Sequence, residues 1–166
     1  KVLLGLGIGK LLSINTRQKE YRFERTARFW RLQFYLWGFQ DKPPVQKGFS
    51  WSSRVARPDS ALTALSILDD KAYFGTSEGY VYAFDLKMKR EPLWRTKVGI
   101  GVTESPIAIG DQVFIGTNDG SVHALDRTNG EIEWIIQTEG PIKAKPIWAN
   151  GFLYISSTDG ILYAIR

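Results

Sequence analysis

The sequence contains no cysteine and a single histidine, His123, among its 166 residues. Without cysteine the chain cannot form a disulfide, a Cys-ligated metal site, an iron–sulfur cluster or a thiol nucleophile. One histidine excludes a multi-histidine metal site and leaves little scope for a serine–histidine–aspartate triad. We therefore predict no metal site and no catalytic residues.

A run of apolar residues long enough to span a membrane is also missing, since a spanning helix needs about 20 of them. The longest apolar stretch, residues 2–12, contains Lys10. We interpret residues 1–12 as an apolar N-terminal segment, the end of a signal or spanning segment that starts outside the sequence. Its glycines, at positions 5, 7 and 9, fit neither a phosphate loop nor a dinucleotide fingerprint.

Positive charge is concentrated in the first third of the chain. Residues 1–57 carry 12 Lys and Arg against 3 Asp and Glu, a net charge of +9, whereas residues 58–166 carry 10 against 14, a net charge of −4. Such asymmetry is typical of a basic arm beside a neutral or acidic domain. We expect the arm to meet an anionic partner: lipid headgroups, an acidic protein surface or nucleic acid.

The last two thirds of the chain contain three copies of one pattern. The copies start at residues 71, 112 and 152 and read KAYFGTSEGYVYAFD, QVFIGTNDGSVHALD and FLYISSTDGILYAIR. They align without gaps on three glycines that are 41 and 40 residues apart: Gly79, Gly120 and Gly160. Three tryptophans follow the same period, with spacings of 43 and 40: Trp51, Trp94 and Trp134. Three landmarks in one register indicate a structural repeat.

Each repeat is predicted to form four short antiparallel strands. Apolar residues alternate in 112–117 and 121–126, which is the two-residue period of a sheet. Gly120, at the end of Asn118-Asp119-Gly120, provides the positive φ that a tight hairpin requires. Four strands in about 40 residues are the dimensions of one propeller blade.

The polar residues that could perform chemistry recur at equivalent positions of the repeats. His123 occupies the position that Tyr82 and Tyr163 hold in the other copies, which is typical of a packing position with a polar tip. Catalysis needs one special copy, whereas recurring carboxylates are expected to accept hydrogen bonds in turns. The carboxylates in question are Asp85, Asp119, Asp126 and Asp159.

The pattern of Gly-Thr-x-Asp-Gly, Ala-Leu-Asp, Thr-x-Gly and Trp resembles the repeat of the quinoprotein (PQQ-like) β-propeller family. Residues 116–120, 124–126, 128–130 and Trp134 carry it, and the resemblance covers residues 49–166. It implies that the tryptophans pack between neighbouring blades, as structural docking residues together with the hairpin glycines. Enzymes of that family bind a quinone cofactor and Ca²⁺ on the axis of eight blades. Because no set of Glu, Asn and Asp can be carried over, we predict no cofactor and no enzymatic activity.

The fold class that follows is mainly β, with about three four-stranded blades over residues 49–166. A Trp-bearing last strand (49–54) is followed by two full blades and by three strands ending at residue 166, twelve strands in the phasing of a ring closed by its first strand. Propellers typically have four to eight blades, so three would leave faces and edges open. We favour a partial propeller continued by the same chain; a second copy or a covering partner protein are the alternatives.

Residues 13–38 are predicted to form a basic amphipathic helix, capped by Ser13 and followed by a linker at 39–48 that contains Pro43-Pro44. Aromatic residues share one helix face with Ala27: Phe23, Trp30, Phe34 and Trp37. Arginines recur at every third position beside it: Arg22, Arg25, Arg28 and Arg31. This composition is typical of a helix in a membrane interface, but equally of a helix packed on protein. A strand over residues 29–37 is a weaker structural alternative.

These features predict a non-catalytic propeller segment that acts as a scaffold, assembly or accessory subunit of a membrane-associated protein complex. The resemblance to outer-membrane assembly lipoproteins and lumenal sensor propellers implies this role and a periplasmic or lumenal location. The expected partners are other protein subunits, an anionic membrane surface and further blades. Two alternatives stay open: a fragment of a quinone-dependent dehydrogenase, and a nucleic-acid-associated accessory protein that uses the Arg-rich arm.

Overall fold

The computed structural model describes residues 2–6, 9–14, 22–44, 49–57, 59–87 and 91–166; for residues 2–6, 13 and 49–51 it describes the backbone alone. The elements within these ranges are fourteen strands and one helix. In chain order they are β1 (Val2–Leu6), β2 (Lys10–Ile14), α1 (Glu24–Leu36), β3 (Phe49–Arg54), β4 (Ser66–Leu68), β5 (Lys71–Gly75), β6 (Tyr80–Asp85), β7 (Pro92–Lys97), β8 (Ile107–Ile109), β9 (Gln112–Gly116), β10 (Ser121–Asp126), β11 (Ile132–Gln137), β12 (Ile147–Ala149), β13 (Phe152–Ser156) and β14 (Leu162–Ile165).

The strands form four antiparallel sheets in which consecutive strands are neighbours. Sheet I is β1-β2-β3, sheet II is β4-β5-β6-β7, sheet III is β8-β9-β10-β11 and sheet IV is β12-β13-β14. The first strands of sheets II and III approach each other, and the Ala108 N–H donates to Ser66 Oγ at 3.4 Å. Four-stranded meanders that meet at their first strands are the blades of a propeller. The predicted mainly-β blade fold is confirmed.

Neighbouring sheets pack face to face, and each pair shares one hydrophobic cluster. Between sheets I and II, Leu11 meets a group of buried side chains: Ala72, Phe74, Tyr82 and Phe84. Between sheets II and III the cluster includes Tyr73, Val81, Ala83, Val113, Ile115 and Leu125. Between sheets III and IV it includes Phe114, Val122, Ala124, Leu153 and Ile155. Because successive residues of a strand point to opposite faces, Tyr73 and Phe74 serve different clusters.

Sheet I corrects the interpretation of the N-terminal segment. The described parts of residues 1–12 do not have the conformation expected of a signal or spanning segment, because β1 and most of β2 fall within them. The Trp-bearing strand β3 pairs with β2, with Ile14 opposite Phe49, and does not complete the last blade. The twelve strands predicted over residues 49–166 are present as β3 to β14, and β1 and β2 precede them. The physical reason is that Leu11 of β2 is fully buried against sheet II, which removes an apolar side chain from water.

Sheet I is a fourth copy of the repeat. The segment KVLLGLGIGKLLSIN aligns with KAYFGTSEGYVYAFD, so that Gly9 corresponds to Gly79. Gly9 has a φ of +65° and Gly79 a φ of +82°. The same hydrogen bond follows each turn: the N–H of Val55 donates to the Gly9 carbonyl at 2.9 Å, as the N–H of Val98 does to the Gly79 carbonyl at 2.9 Å. Residues 15–48 are therefore an insertion between the last two strands of this copy.

Helix α1 begins at Glu24, so the predicted start at Ser13 is wrong. Ser13 lies in β2 opposite Trp51, where pairing with β3 outweighs its local preference for a helix start. The residue before the helix, Phe23, makes no side-chain cap hydrogen bond. Residues 29–37 are helical through Leu36, so the alternative strand there is also wrong. Residues 15–21 of the predicted helix and 45–48 of the predicted linker lie outside the described residues.

Candidate functional site: blade docking and exposed surfaces

Trp94 joins sheet II to sheet III. Its indole Nε1–H donates to the Arg127 carbonyl oxygen at 3.0 Å, and the side chain is only 8% exposed. The ring lies against Gly130, where an added Cβ would come within 2.5 Å of ring carbons. Next to it, Thr96 Oγ1 donates to the Gly130 carbonyl at 2.6 Å. One tryptophan on the last strand of a blade thus contacts the turn before the last strand of the next blade.

The turn that receives Trp94 is held by its own hydrogen bonds. Asp126 Oδ1 accepts from the N–H of Thr128 at 2.7 Å and from the N–H of Asn129 at 3.1 Å. Bonds from the Thr128 side chain and then from these backbone groups lower the pKa of Asp126. Gly130 closes the turn with a φ of +75°, a conformation that favours glycine. The receptor for the indole ring is therefore preorganised.

The other two predicted docking tryptophans differ from Trp94: one is less buried, and the side chain of the other is not described. Trp134 is half-buried in the cluster between sheets III and IV, with its ring 5.8 Å from that of Phe114. Trp51 lies in β3, but its side chain is outside what the structure describes.

The three hairpin glycines all have a positive φ, but their surroundings differ. At Gly79 an added Cβ would lie 2.0 Å from the Gly99 carbonyl oxygen, and at Gly120 it would lie 2.8 Å from the Gly140 carbonyl oxygen. At Gly160, with a φ of +86°, no atom of the described residues would lie within 4 Å of an added Cβ. The hairpins of sheets II and III therefore abut the segment that leads to the next sheet, whereas the hairpin of sheet IV has an open side.

Carboxylates in the hairpins serve as turn acceptors. Asp119 accepts hydrogen bonds from the hydroxyl of Thr117, from Ser121 Oγ at 2.9 Å and from the Ser121 N–H at 3.3 Å. Burial alone raises the pKa of Asp119, but bonds from Thr117, Ser121 and the Ile100 backbone outweigh it, and the pKa is lowered. Among the described residues no three His, Asp or Glu side chains form a group that could hold a metal ion.

His123 is buried on the face of β10 that is turned toward sheet II. The side chain is 4% exposed, and it pairs across the ladder with Ile115 of the cluster between sheets II and III. Neither ring nitrogen has a hydrogen-bond partner among the described residues. Burial lowers the pKa of His123, and the charge of Asp119 opposes that shift only in part. The ring is thus a neutral packing group near physiological pH.

The aromatic side chains of α1 are exposed to solvent. No residue of the helix is buried, and exposure is 49% for Trp30, 45% for Phe34 and 57% for Trp37. The Phe34 ring centroid lies 6.3 Å from that of Trp37 and 6.4 Å from that of Phe39, both edge to face. The predicted arginines are exposed or half-exposed beside them: Arg22, Arg25, Arg28 and Arg31. No helix in the described ranges has the length and apolar character needed to cross a bilayer.

Sequence reasoning missed a small pocket in sheet II and its connections. It has a volume of about 150 Å³ and is lined by Ala61, Leu62, Thr63, Ser77, Val102 and Thr103. The lining consists of apolar groups and hydroxyls without a titratable side chain, so the pocket offers no acid, base or charged ligand to chemistry.

Comparison with known proteins assigns the family. The family model described as outer membrane protein assembly factor BamB matches residues 45–136, which is more than half of the chain. The chain belongs to this family. BamB of Bordetella pertussis is 25% identical over 120 residues, which cover 72% of this chain and 31% of that protein. The chain thus spans about a third of the length of the BamB relatives that it matches. The predicted membership of the PQQ-like repeat family is confirmed.

Two further similarities extend this comparison. The crystal structure of BamB from Moraxella catarrhalis matches with a TM-score of 0.60 and 24% identity, over 72% of this chain and 38% of that one. The tetrathionate hydrolase of Acidithiobacillus ferrooxidans is 23% identical over 128 residues, which cover 61% of this chain and 26% of the enzyme. The BamB structure therefore shows a shared fold, and the chain is also similar over part of its length to a protein with a hydrolase name.

Proposed function

We propose that this chain is a non-catalytic part of a BamB-like propeller, which acts as a scaffold or accessory subunit in an extracytoplasmic, membrane-associated complex that assembles outer-membrane proteins. The observation that carries the proposal is the family match over residues 45–136, because the family is described as an outer membrane protein assembly factor. The named BamB relatives support the same role.

The chemistry of the described residues supports a binding role over a catalytic one. The hairpin and turn carboxylates, Asp119 and Asp126, are occupied by hydrogen bonds within their own turns. His123 is buried and has no hydroxyl or thiol partner to activate. The described residues therefore favour a function that uses the protein surface for binding over one that uses a reacting group.

Apolar side chains on the outer and terminal sheets provide such a surface. On β11, the last strand of sheet III, Ile132 is 40% and Ile135 54% exposed. On sheet IV, Ile147 is 62% and Leu162 65% exposed. Exposed apolar residues that cluster on one sheet are typical of protein contact sites. We infer that other subunits, or further blades, contact these sheets.

The proposal is tested by deleting the gene in its source organism and quantifying the proteins of the outer membrane. We expect their amount to fall, to recover when the intact gene is returned, and soluble proteins of the same compartment to stay unchanged as the control. Unaltered amounts of outer-membrane proteins would contradict the assembly role.

The quinone-enzyme alternative is separated by titration of the chain with pyrroloquinoline quinone and Ca²⁺. We expect no saturable change in tryptophan fluorescence, since the acidic residues of the turns are already hydrogen-bonded. Saturable binding would contradict the non-catalytic proposal and would favour a dehydrogenase fragment.

A further inference from the structure

Helix α1 lies in a connection that is only five or six residues long in sheets II and III. Residues 15–48 join β2 to β3, where residues 86–91 and 127–131 join the corresponding strands of sheets II and III. Ile14 and Phe49 are opposite each other in the β2–β3 ladder, so the insertion leaves and re-enters sheet I at one point. The helix is therefore added to a blade without being needed to complete it.

The helix has an apolar side and a basic side. With 100° between successive residues, one half of its circumference carries mainly apolar residues. These are Ala27, Phe29, Trp30, Phe34, Leu36 and, just past the helix, Trp37. The opposite side carries Arg25, Arg28 and Arg31 together with Glu24, Tyr35 and one aliphatic residue, Leu32. Indole and phenol rings combined with arginine are the composition of helices that lie in a membrane interface.

The sheets of the chain leave the apolar side of α1 uncovered. Phe29 is 55% and Leu36 64% exposed, whereas Phe74 and Leu125 in the sheet clusters are fully buried. Residues 58–166 have a net charge of −4 and could attract a basic helix, yet no residue of α1 is buried against them. A surface outside the described residues is therefore needed to remove these side chains from water.

The charge and the length of α1 indicate which kind of partner covers its apolar side. Between residues 22 and 37 there are four arginines against the single acid Glu24, so the helix complements an anionic surface. Each basic residue near an anionic leaflet adds electrostatic attraction to it. The helix has 13 residues and is about 20 Å long, which is too short to span a bilayer but sufficient to lie along its surface.

We propose that α1 is a membrane-contact helix that lies in the interface of an anionic lipid bilayer. Trp30, Phe34 and Trp37 enter the headgroup layer, and Arg28 and Arg31 remain at the level of the lipid phosphates. The proposal rests on the proposed function only in placing the chain beside a membrane. It adds a lipid ligand and names the element that binds it.

The test is co-sedimentation of the full chain with vesicles of phosphatidylcholine, with and without phosphatidylglycerol. We expect binding to the anionic vesicles at low salt and a loss of binding as salt is raised. The triple variant W30S/F34S/W37S is expected to bind about tenfold more weakly or worse, because three interfacial rings are lost. Its matched control is I67S/L93S/I100S, which removes three exposed apolar side chains from sheet II and the segment that follows it and is expected to bind normally.

A charge pair of variants tests the basic side. R28Q/R31Q is expected to lower binding to the anionic vesicles by about tenfold, with little effect on the residual binding to phosphatidylcholine. K143Q/K145Q removes two exposed charges from the segment between β11 and β12 and is the control, expected to bind as the unmodified chain. Near-ultraviolet circular dichroism checks that all variants keep the packed sheets.

The proposal is overturned if the chain does not bind anionic vesicles at low salt, or if both helix variants bind as their controls do. A different outcome is that the unmodified chain does not bind vesicles, while W30S/F34S/W37S lowers outer-membrane protein levels in cells. The helix would then contact protein, so the lipid proposal would be wrong and the assembly role would stand. If vesicle binding is as expected and gene deletion changes nothing in the outer membrane, the assembly role fails and the lipid contact stands.

Discussion

The indole N–H of Trp94 and the carbonyl oxygen of Arg127 are 3.0 Å apart across the boundary between two blades. Trp94 lies on the last strand of sheet II, and Arg127 begins the turn before the last strand of sheet III. The bond anchors a ring that is also packed on Gly130. The contact combines apolar burial with a directional hydrogen bond, so it determines both how tightly and in what orientation the blades meet.

We expect Trp94→Phe to lower the free energy of unfolding by about 1–3 kcal/mol, because the carbonyl of the half-buried Arg127 loses its indole donor. Trp134→Phe is the comparison, since Trp134 is half-buried and none of the described residues accepts a hydrogen bond from its indole. The loss of unfolding free energy in Trp134→Phe should be smaller than in Trp94→Phe. Urea unfolding followed by circular dichroism measures both, and equal losses would mean that the Trp94 bond contributes nothing.

Gly79→Ala should destabilise the chain more than Gly160→Ala. Both glycines have nearly the same φ, +82° and +86°, so the left-handed cost of about 1–2 kcal/mol is common to the two variants. Only at position 79 does the added methyl group collide with a backbone carbonyl, that of Gly99. Thermal unfolding should show a further loss of about 1–3 kcal/mol for Gly79→Ala. Identical melting curves would be inconsistent with a hairpin packed on that segment.

Leu11→Ala tests whether sheet I is a blade that packs on sheet II. The side chain is fully buried among Ala72, Phe74 and Phe84, and removing it is expected to cost about 2–5 kcal/mol. Ile135→Ala, at a position that is 54% exposed, should cost no more than about 0.5 kcal/mol. Should chemical denaturation show Leu11→Ala to be as stable as the unmodified chain, sheet I would not share a core with sheet II.

Stability should fall as the pH is lowered from about 7.5 to 5, because of His123. Burial lowers its pKa in the folded chain below the ordinary value of 6.5, so the unfolded chain binds the proton more readily. This contribution is complete above pH 6.5 and is lost as the pH falls toward the folded pKa. His123→Tyr places there the residue found at positions 82 and 163, and it should flatten the dependence. A slope that is the same in both proteins would exclude His123 as its source.

The repeats of sheets II, III and IV were predictable because each carries an intact hairpin motif, such as residues 116–120. Those glycines need a positive φ, and the polar residues beside them bond within the turn, so the local sequence alone determines the structure. The docking of Trp94 on Gly130 was foreseeable from the family resemblance only, because packing between residues 36 positions apart has no local signal.

Sheet I was not recognised because two local signals are absent from it. Its hairpin reads Leu6-Gly7-Ile8-Gly9, without the threonine and acidic residue of the other copies, and its composition is that of a leader segment. Trp51 lies 42 residues after Gly9, whereas Trp94 lies 15 after Gly79, so the insertion hides the period. A gapped comparison that places Gly5 on Gly75 and Gly9 on Gly79 would have revealed the copy.

The helix start was missed for a related reason. Ser13 is a good helix cap in isolation, but it is committed to the ladder with β3, a partner that is distant in the sequence. Only the part of the arm beyond that ladder is free to become helical. Long-range pairing thus overrides a local preference that the sequence displays openly.

Because Ile14 and Phe49 are ladder partners, the two ends of the inserted segment between them lie side by side. A turn of the length found at residues 127–131 could replace it and leave β2 and β3 in register. Recombination could likewise insert or remove such a segment in a single event. Related propellers can therefore differ in this arm while they share every blade.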